Sequence, residues 1–389
     1  MRIKDSFVEL QHLIGVDVDK STFYINGLER KMYAERLMFY EIAVKVTALS
    51  DRMPFFKYTK NSQSRSFARA SELGAKILAA LDYAECNRLF EWDSEFYEHV
   101  MLPPQLKLVY QACYAAKIPG GSLVEGVGFV KYIKYSHRKY FNSKEEVQDD
   151  AINCLNEFSE NLKKSLRKYS FREKIKSFER NSRERYFQLM NVASQGWEKN
   201  CKNILIRVDW GFKKENLFMP VRFKNEKEMS DVFNEVDCLR KRMLKSIKRV
   251  FGVDLTFYAW KIECGDIKGL HIHWLVAVNG SKRMHAGYAG KEIVDEWNKY
   301  ICDKNSYAFN VNYLKGGYRS GLRLIDYRDE ELPEILDRYV GYLTKLDFLM
   351  KLRVPGNMRT FGCSKLKKKT SEKRGPKRSG ISTLKEKIK

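Results

Sequence analysis

Histidine is scarce in this chain. Its 389 residues include six, at positions 12, 99, 137, 271, 273 and 285. Cysteine is present but unclustered: the eight lie at 86, 113, 154, 201, 238, 264, 302 and 363, without a CxxC pair. That scatter argues against both a disulfide framework and a cysteine zinc site. No apolar run approaches the roughly 20 residues of a membrane span, and the opening "MRIKDSFVELQHLIG" is too polar for a signal peptide. The expectation is a protein of the reducing cytoplasm with no membrane partner. The stretch "PGGSLVEGVG" (119–128) lacks the Gly-Lys-Ser/Thr ending of a phosphate-binding loop and reads as a turn between helices. No other ATPase motif occurs, and no internal repeat is visible.

Positive charge is abundant. Lysine and arginine number 72 against 49 acidic residues, a formal charge of +23. Such an excess favours polyanions, because binding them releases condensed counterions. Nucleic acid is the partner class it favours most. Aromatics make up 13% of the chain, enough to serve either base stacking or ordinary cores.

The chain reads as α+β, in two domains and a tail. Residues 1–195 read as a mostly helical N-terminal region whose role is open. Apolar residues at three- and four-residue spacings recur over 70–92 and 145–169. The charge-dense run 171–187 reads as a solvated helix face and a connection to the next domain. Residues 196–365 then alternate between strand and helix patterns. Strands are expected at 203–212, 255–263, 270–278, 308–314 and 321–327. Helices are expected at 226–252, closed by a glycine, at about 286–301, and at 329–350, with Asp329 starting the last and Pro333 in its first turn. This order predicts a central antiparallel sheet flanked by helices. The tail, 366–389, is strongly basic and reads as disordered; from Lys365 to Lys389 there are eleven basic and two acidic residues.

The stretch "HIHWLV" (271–276) places two histidines one residue apart on an apolar strand. Residues i and i+2 of a strand share a face. His271, His273 and Leu275 therefore point one way, and Ile272, Trp274, Val276 and Val278 point to the core. Two imidazoles side by side form a two-ligand metal platform, although such histidines can also simply hydrogen-bond at a sheet edge. If strand 255–263 pairs antiparallel with Glu263 opposite His271, the carboxylate joins them, with Cβ atoms about 5 Å apart. The other notable element is "RYVGYLTK" (338–345). On a helix, Leu336, Val340, Leu343 and Met350 make a buried stripe, with Tyr342 at its flank and Lys345 one turn on. A phenol is a poor nucleophile at neutral pH because its pKa is near 10. A metal polarising a phosphate and a nearby ammonium favouring phenolate would remove that obstacle.

The order of "ILIRVDW", the "HIH" strand, "YLTK" and "RTFGCSK" (359–365) resembles the HUH endonuclease superfamily of rolling-circle replication initiators. It is closer still to inovirus-type replication proteins and to the prophage-borne YagK/YfjJ C-terminal group. The resemblance covers about 200–365. It implies that His271 and His273 bind Mg²⁺ or Mn²⁺ with Glu263 as third ligand. It also implies that Tyr342 attacks a phosphodiester, giving a 5′-phosphotyrosyl link and a free 3′-OH, with Lys345 orienting the phosphate or supporting the phenolate. Some relatives use two tyrosines four residues apart. Tyr339 and Tyr342 are three apart, so Tyr339 is a second candidate in what reads as a single-tyrosine enzyme.

Three functions are compatible with these residues. One is an endonuclease that nicks single-stranded origin DNA, with a host helicase or supercoiling separating the strands. Another is a relaxase or transposase with the same chemistry. The third is a non-catalytic DNA-binding regulator of a prophage or plasmid. A hydrolytic zinc site is disfavoured, because "HIHWLV" lacks the further Asp-His of His-x-His-x-Asp-His hydrolases. If the basic excess serves phosphate contacts, deleting residues 366–389 weakens DNA binding similarly across sequences and flattens its salt dependence. Titrations at several salt concentrations check this; an unchanged slope removes the tail from DNA binding.

Overall fold

A computed structural model describes residues 160–212, 226–265, 269–300, 306–313 and 321–345. It also describes residues 38–39, 42–43, 56–60, 66–70, 100–101, 103–115, 156, 351–352, 354–355 and 358–365. The expected helix at 70–92, the turn at 119–128, Met350 and the tail fall outside these, apart from Ala70. The chain divides into two compact units, one centred on residues 30–180 and the other on residues 181–347. The division falls inside the charge-dense run of one long helix.

In the first unit, β1 (Phe56–Lys60) and β2 (Ser66–Ala70) pair antiparallel, with Phe56 opposite Ala70. This strand pair accompanies the helices of a region expected to be mostly helical. Strand β3 (Val100–Met101) precedes helix α1 (Pro104–Ala115), in which proline occupies the first helical position, where its missing N–H costs nothing. Residues 160–167 are helical, and α2 (Tyr169–Lys199) begins in this unit.

The second unit is α+β, built on a six-stranded antiparallel sheet. Its strands are β4 (Lys202–Phe212), β5 (Leu255–Gly265), β6 (Gly269–Asn279), β7 (Ser306–Asn310), β8 (Leu324–Asp326) and β10 (Phe361–Cys363). The order is β10-β5-β6-β4-β7, with β8 also paired to β4; the short β9 (Lys351–Leu352) is not part of this sheet. Three helices complete the described elements: α3 (Glu226–Phe251), α4 (Ala286–Tyr300) and α5 (Leu332–Lys345).

Both faces of the sheet are covered. On one, Ile206, Val208, Trp210, Ile262, Ile272 and Trp274 pack against α3 and α4. Helix α3 fits this role because Met229, Val232, Phe233, Val236, Leu239, Met243 and Ile247 recur at helical spacing. Acids in its first turn and Lys248 and Arg249 in its last complement its dipole. It ends at Gly252, whose φ of 49° suits a left-handed stop. On the other face, Leu205, Phe257, Ala259, Leu275 and Ala277 pack against Trp197 of α2 and Leu336, Val340 and Leu343 of α5. The histidine face is thus itself half core, not an open platform. Each fully buried large apolar side chain contributes about 1.5–3 kcal/mol.

Strand β8 is shorter than the expected 321–327, and two further boundaries differ from the sequence expectation for local reasons. Helix α5 begins at Leu332, because the Asp329 carboxylate accepts the Glu331 N–H at 3.0 Å and holds 329–331 as a turn. Strand β7 ends at Asn310, and Val311–Tyr313 form a 3₁₀ turn. There the Asn312 side chain replaces the ladder: its Oδ1 accepts from Arg207 N–H at 3.2 Å, and its Nδ2 donates to the Arg207 carbonyl at 3.0 Å. Asn312→Ala leaves both backbone groups of Arg207 without those partners. Denaturant unfolding should show a loss of about 1–3 kcal/mol, and an unchanged midpoint would mean water replaces the amide freely.

Candidate metal centre

Three neighbouring strands place the polar side chains. In the β5–β6 ladder Glu263 stands opposite His271 and Lys261 opposite His273; in the β4–β6 ladder Asp209 stands opposite His273. Opposed residues share a face, so these side chains and Arg207 cluster beyond the apolar half of that face. Glu263 Oε2 lies 3.2 Å from His273 Nε2 and 3.7 Å from His271 Nε2. The candidate ligand atoms of all three lie within 4.8 Å of one another. An ion with bonds of about 2.0–2.3 Å needs ligands spaced about as these are. The other carboxylate oxygen, Glu263 Oε1, is buried without a hydrogen-bond partner among the described residues. A buried acceptor left unpaired is costly unless something occupies its lone pairs. A divalent cation would, so the residues fit the group.

Asp209 orients one of the candidate ligands. Its Oδ1 lies 2.8 Å from His273 Nδ1, which leaves Nε2 facing the cluster. Such a carboxylate behind a ligating imidazole fixes its tautomer and raises its basicity. Arg207, two residues earlier on the same strand face, forks onto Asp209 with two contacts of 3.1 Å.

Tyr342 of α5 reaches this cluster. Its hydroxyl lies 3.2 Å from His273 Nε2 and accepts a hydrogen bond from an Arg207 nitrogen at 3.0 Å. The Arg207 guanidinium also lies over the Tyr342 ring, 4.2 Å from its centroid. Tyr339, by contrast, is 7% exposed and sits in the core with α2. Lys345 is the last residue of α5; where its side chain points lies outside the described residues. The cation seen on the Tyr342 oxygen is Arg207. Sequence reading missed Arg207 and Asp209, although two charged residues two apart within "ILIRVDW" were the signal. It also passed over Lys261, buried at 3% exposure opposite His273.

The charges perturb one another. Burial alone would raise the Asp209 carboxyl, but Arg207 and then His273 hold it well below the usual range. Burial likewise opposes ionisation of Glu263, and His273 and His271 outweigh it. His273 is disfavoured as a cation by burial, yet Asp209 and Glu263 raise its pKa above 6.5.

A model of the YagK/YfjJ C-terminal domain matches residues 166–364, about half of the chain. The chain belongs to the YagK/YfjJ C-terminal domain family. All the residues of the cluster lie inside the matched span. No curated protein and no solved structure matches the chain. Among the described residues of this family member, no helix is long and apolar enough to cross a membrane.

Two measurements test the centre. Without metal, the stabilisation from charged His273 is complete below about pH 6.5 and is lost as pH rises through its raised pKa. Bound Mn²⁺ takes the place of that proton, so its affinity rises over the same interval and the fall in thermal stability is suppressed. Melting curves with EDTA and with Mn²⁺, from about pH 6 to about pH 9, check the sign. Isothermal titration checks the ligands. His273→Ala should abolish Mn²⁺ binding, and Asp209→Asn should weaken it by about 10–100-fold. Full binding without the His273 imidazole removes it from the site.

Proposed function

We propose that this protein is a metal-dependent endonuclease of the HUH type that nicks single-stranded DNA through Tyr342 and so primes rolling-circle replication. The observation that carries the reading is the Tyr342 hydroxyl, 3.2 Å from the ligand nitrogen of His273 and hydrogen-bonded by Arg207. A phenol seldom acts as a nucleophile at neutral pH unless cations favour its anion. The Arg207 guanidinium favours it here, by charge and by a donated hydrogen bond. Glu263, His271 and His273 would hold Mg²⁺ or Mn²⁺, which would polarise the phosphate when bound. The Tyr342 oxygen forms a bond to phosphorus as the bond from phosphorus to the 3′-oxygen breaks. The phenolic proton passes to solvent, and the departing 3′-oxygen gains one. The products are a 5′-phosphotyrosyl link and a 3′-OH that a polymerase can extend.

The inovirus-type assignment, an origin as target and a cytoplasmic setting with a host helicase belong to the same proposal. The net charge of +23 supports a nucleic-acid partner. Labelled single-stranded DNA incubated with the protein and Mn²⁺ should give a covalent adduct resolved by denaturing electrophoresis. Tyr342→Phe, which removes only the hydroxyl, should abolish the adduct and leave the fold. Tyr339→Phe should retain it. Arg207→Gln should slow it by about 10²-fold, the scale of losing one stabilising donor. An adduct that survives in Tyr342→Phe and vanishes in Tyr339→Phe exchanges the two roles. DNA binding with no adduct from any variant leaves a binding regulator, and transfer between plasmid ends favours a relaxase or transposase.

A further inference from the structure

One more phenol stands beside the cluster. Tyr307, in β7, pairs with Gly211 of β4, and Gly211 pairs in turn with His271 of β6. His271 pairs with Glu263 of β5. Opposed residues share a face, so Tyr307, Gly211, His271 and Glu263 form one row across four strands.

The glycine decides where the ring lies. A Cβ at residue 211 would fall 2.9 Å from the Tyr307 hydroxyl oxygen and 3.1 Å from its Cζ. The far end of the phenol therefore lies over the β4 backbone, turned towards the metal ligands. From there the next strand, carrying His271, is about 4.8 Å away. Tyr307 is half-buried, and its hydroxyl makes no hydrogen bond among the described residues. Burial raises its pKa, and the nearby Asp209 charge adds to this, so at neutral pH it carries its proton. It is a donor facing a centre that takes an anion.

We propose that the Tyr307 hydroxyl donates a hydrogen bond to a phosphodiester oxygen of the DNA strand lying over the Glu263–His271–His273 cluster, and that Gly211 admits the ring to that position. This rests on the reading of the cluster as a phosphodiester site. Tyr342 approaches from α5, on the His273 and Arg207 side, whereas Tyr307 closes the row at the β7 edge. The two phenols therefore do different work: one attacks phosphorus, and the other holds an oxygen of the strand in place.

The test separates binding from chemistry. In full-length Tyr342→Phe protein with Mn²⁺, fluorescence anisotropy measures binding of a fluorescein-labelled oligothymidylate. Adding Tyr307→Phe, which deletes one oxygen, should weaken binding by about tenfold, the scale of a hydrogen bond to a charged group. Mn²⁺ affinity and Tm should stay the same. Replacing single phosphates by methylphosphonates should reveal one position at which the Tyr307→Phe loss disappears, as expected when both changes remove the same contact. Gly211→Ala, which forces the ring off its seat, should weaken binding with Tyr307 present and add little to Tyr307→Phe. Equal affinity with and without the hydroxyl overturns the inference, as does a loss that no methylphosphonate cancels. A parallel adduct assay on the wild-type chain tests the nickase reading separately. Its failure alongside a tenfold Tyr307 effect rejects the nickase and keeps the contact.

Discussion

A slip of β6 by one residue against its neighbours would turn His271 and His273 into the core under α3 and α4. The same slip would bring Ile272 and Trp274 onto the ligand face, because side chains alternate along a strand. Ile272 and Trp274 are among the most buried side chains of the sheet. Exposing them forfeits about 1.5–3 kcal/mol each, and burying two imidazoles without partners costs more. The apolar face therefore sets the register, and the register brings the candidate metal ligands together. The positions of Asp209 against His273 and of Glu263 against His271 follow from the same ladders.

The cluster is demanding to bury. Lys261, Arg207, Asp209, Glu263 and His273 lie together where little water reaches. Charges removed from water are tolerated when each has hydrogen-bonding partners of opposite sign, and breaking one pair strands the other. Here Arg207 neutralises Asp209, and Asp209 holds His273. Among the described residues, Glu263 keeps one oxygen unsatisfied. That arrangement is poorer as a structural network than as a cluster that could hold an ion, whose charge would occupy the unsatisfied oxygen.

Much of this was legible from residue order. Strands β5 and β6 showed their alternation, which put Glu263 on the histidine face if the two strands paired in one register, and that register is the one the ladder adopts. The stripe of Leu336, Val340 and Leu343 likewise put Tyr342 at the flank, whereas Tyr339 stood as a second candidate and the structure places it in the core. Arg207 and Asp209 were hidden because β4 is buried on both faces, and its apolar residues drown the alternation of the two charged ones. Lys345 was the nearest cation to Tyr342 in sequence, whereas the contact comes from a strand 135 residues away. The β1–β2 hairpin carried too few apolar residues to mark a buried face. Strand β7 stopped early because Asn310 and Asn312 satisfy the backbone with side chains, which periodicity does not register.

Helix α5 turns by about 100° per residue, so Tyr339 and Tyr342 project about 60° apart. Rotating the helix to exchange them would pull Leu336, Val340 and Leu343 out of the second core. The phenol that faces the cluster is thus fixed by the hydrophobic packing behind it. For the proposed chemistry this sets a stoichiometry: this helix offers one attachment point, so a chain holds one strand end on it at a time. Handing that end to a new strand then requires an incoming 3′-hydroxyl, or a second chain, in place of an internal relay.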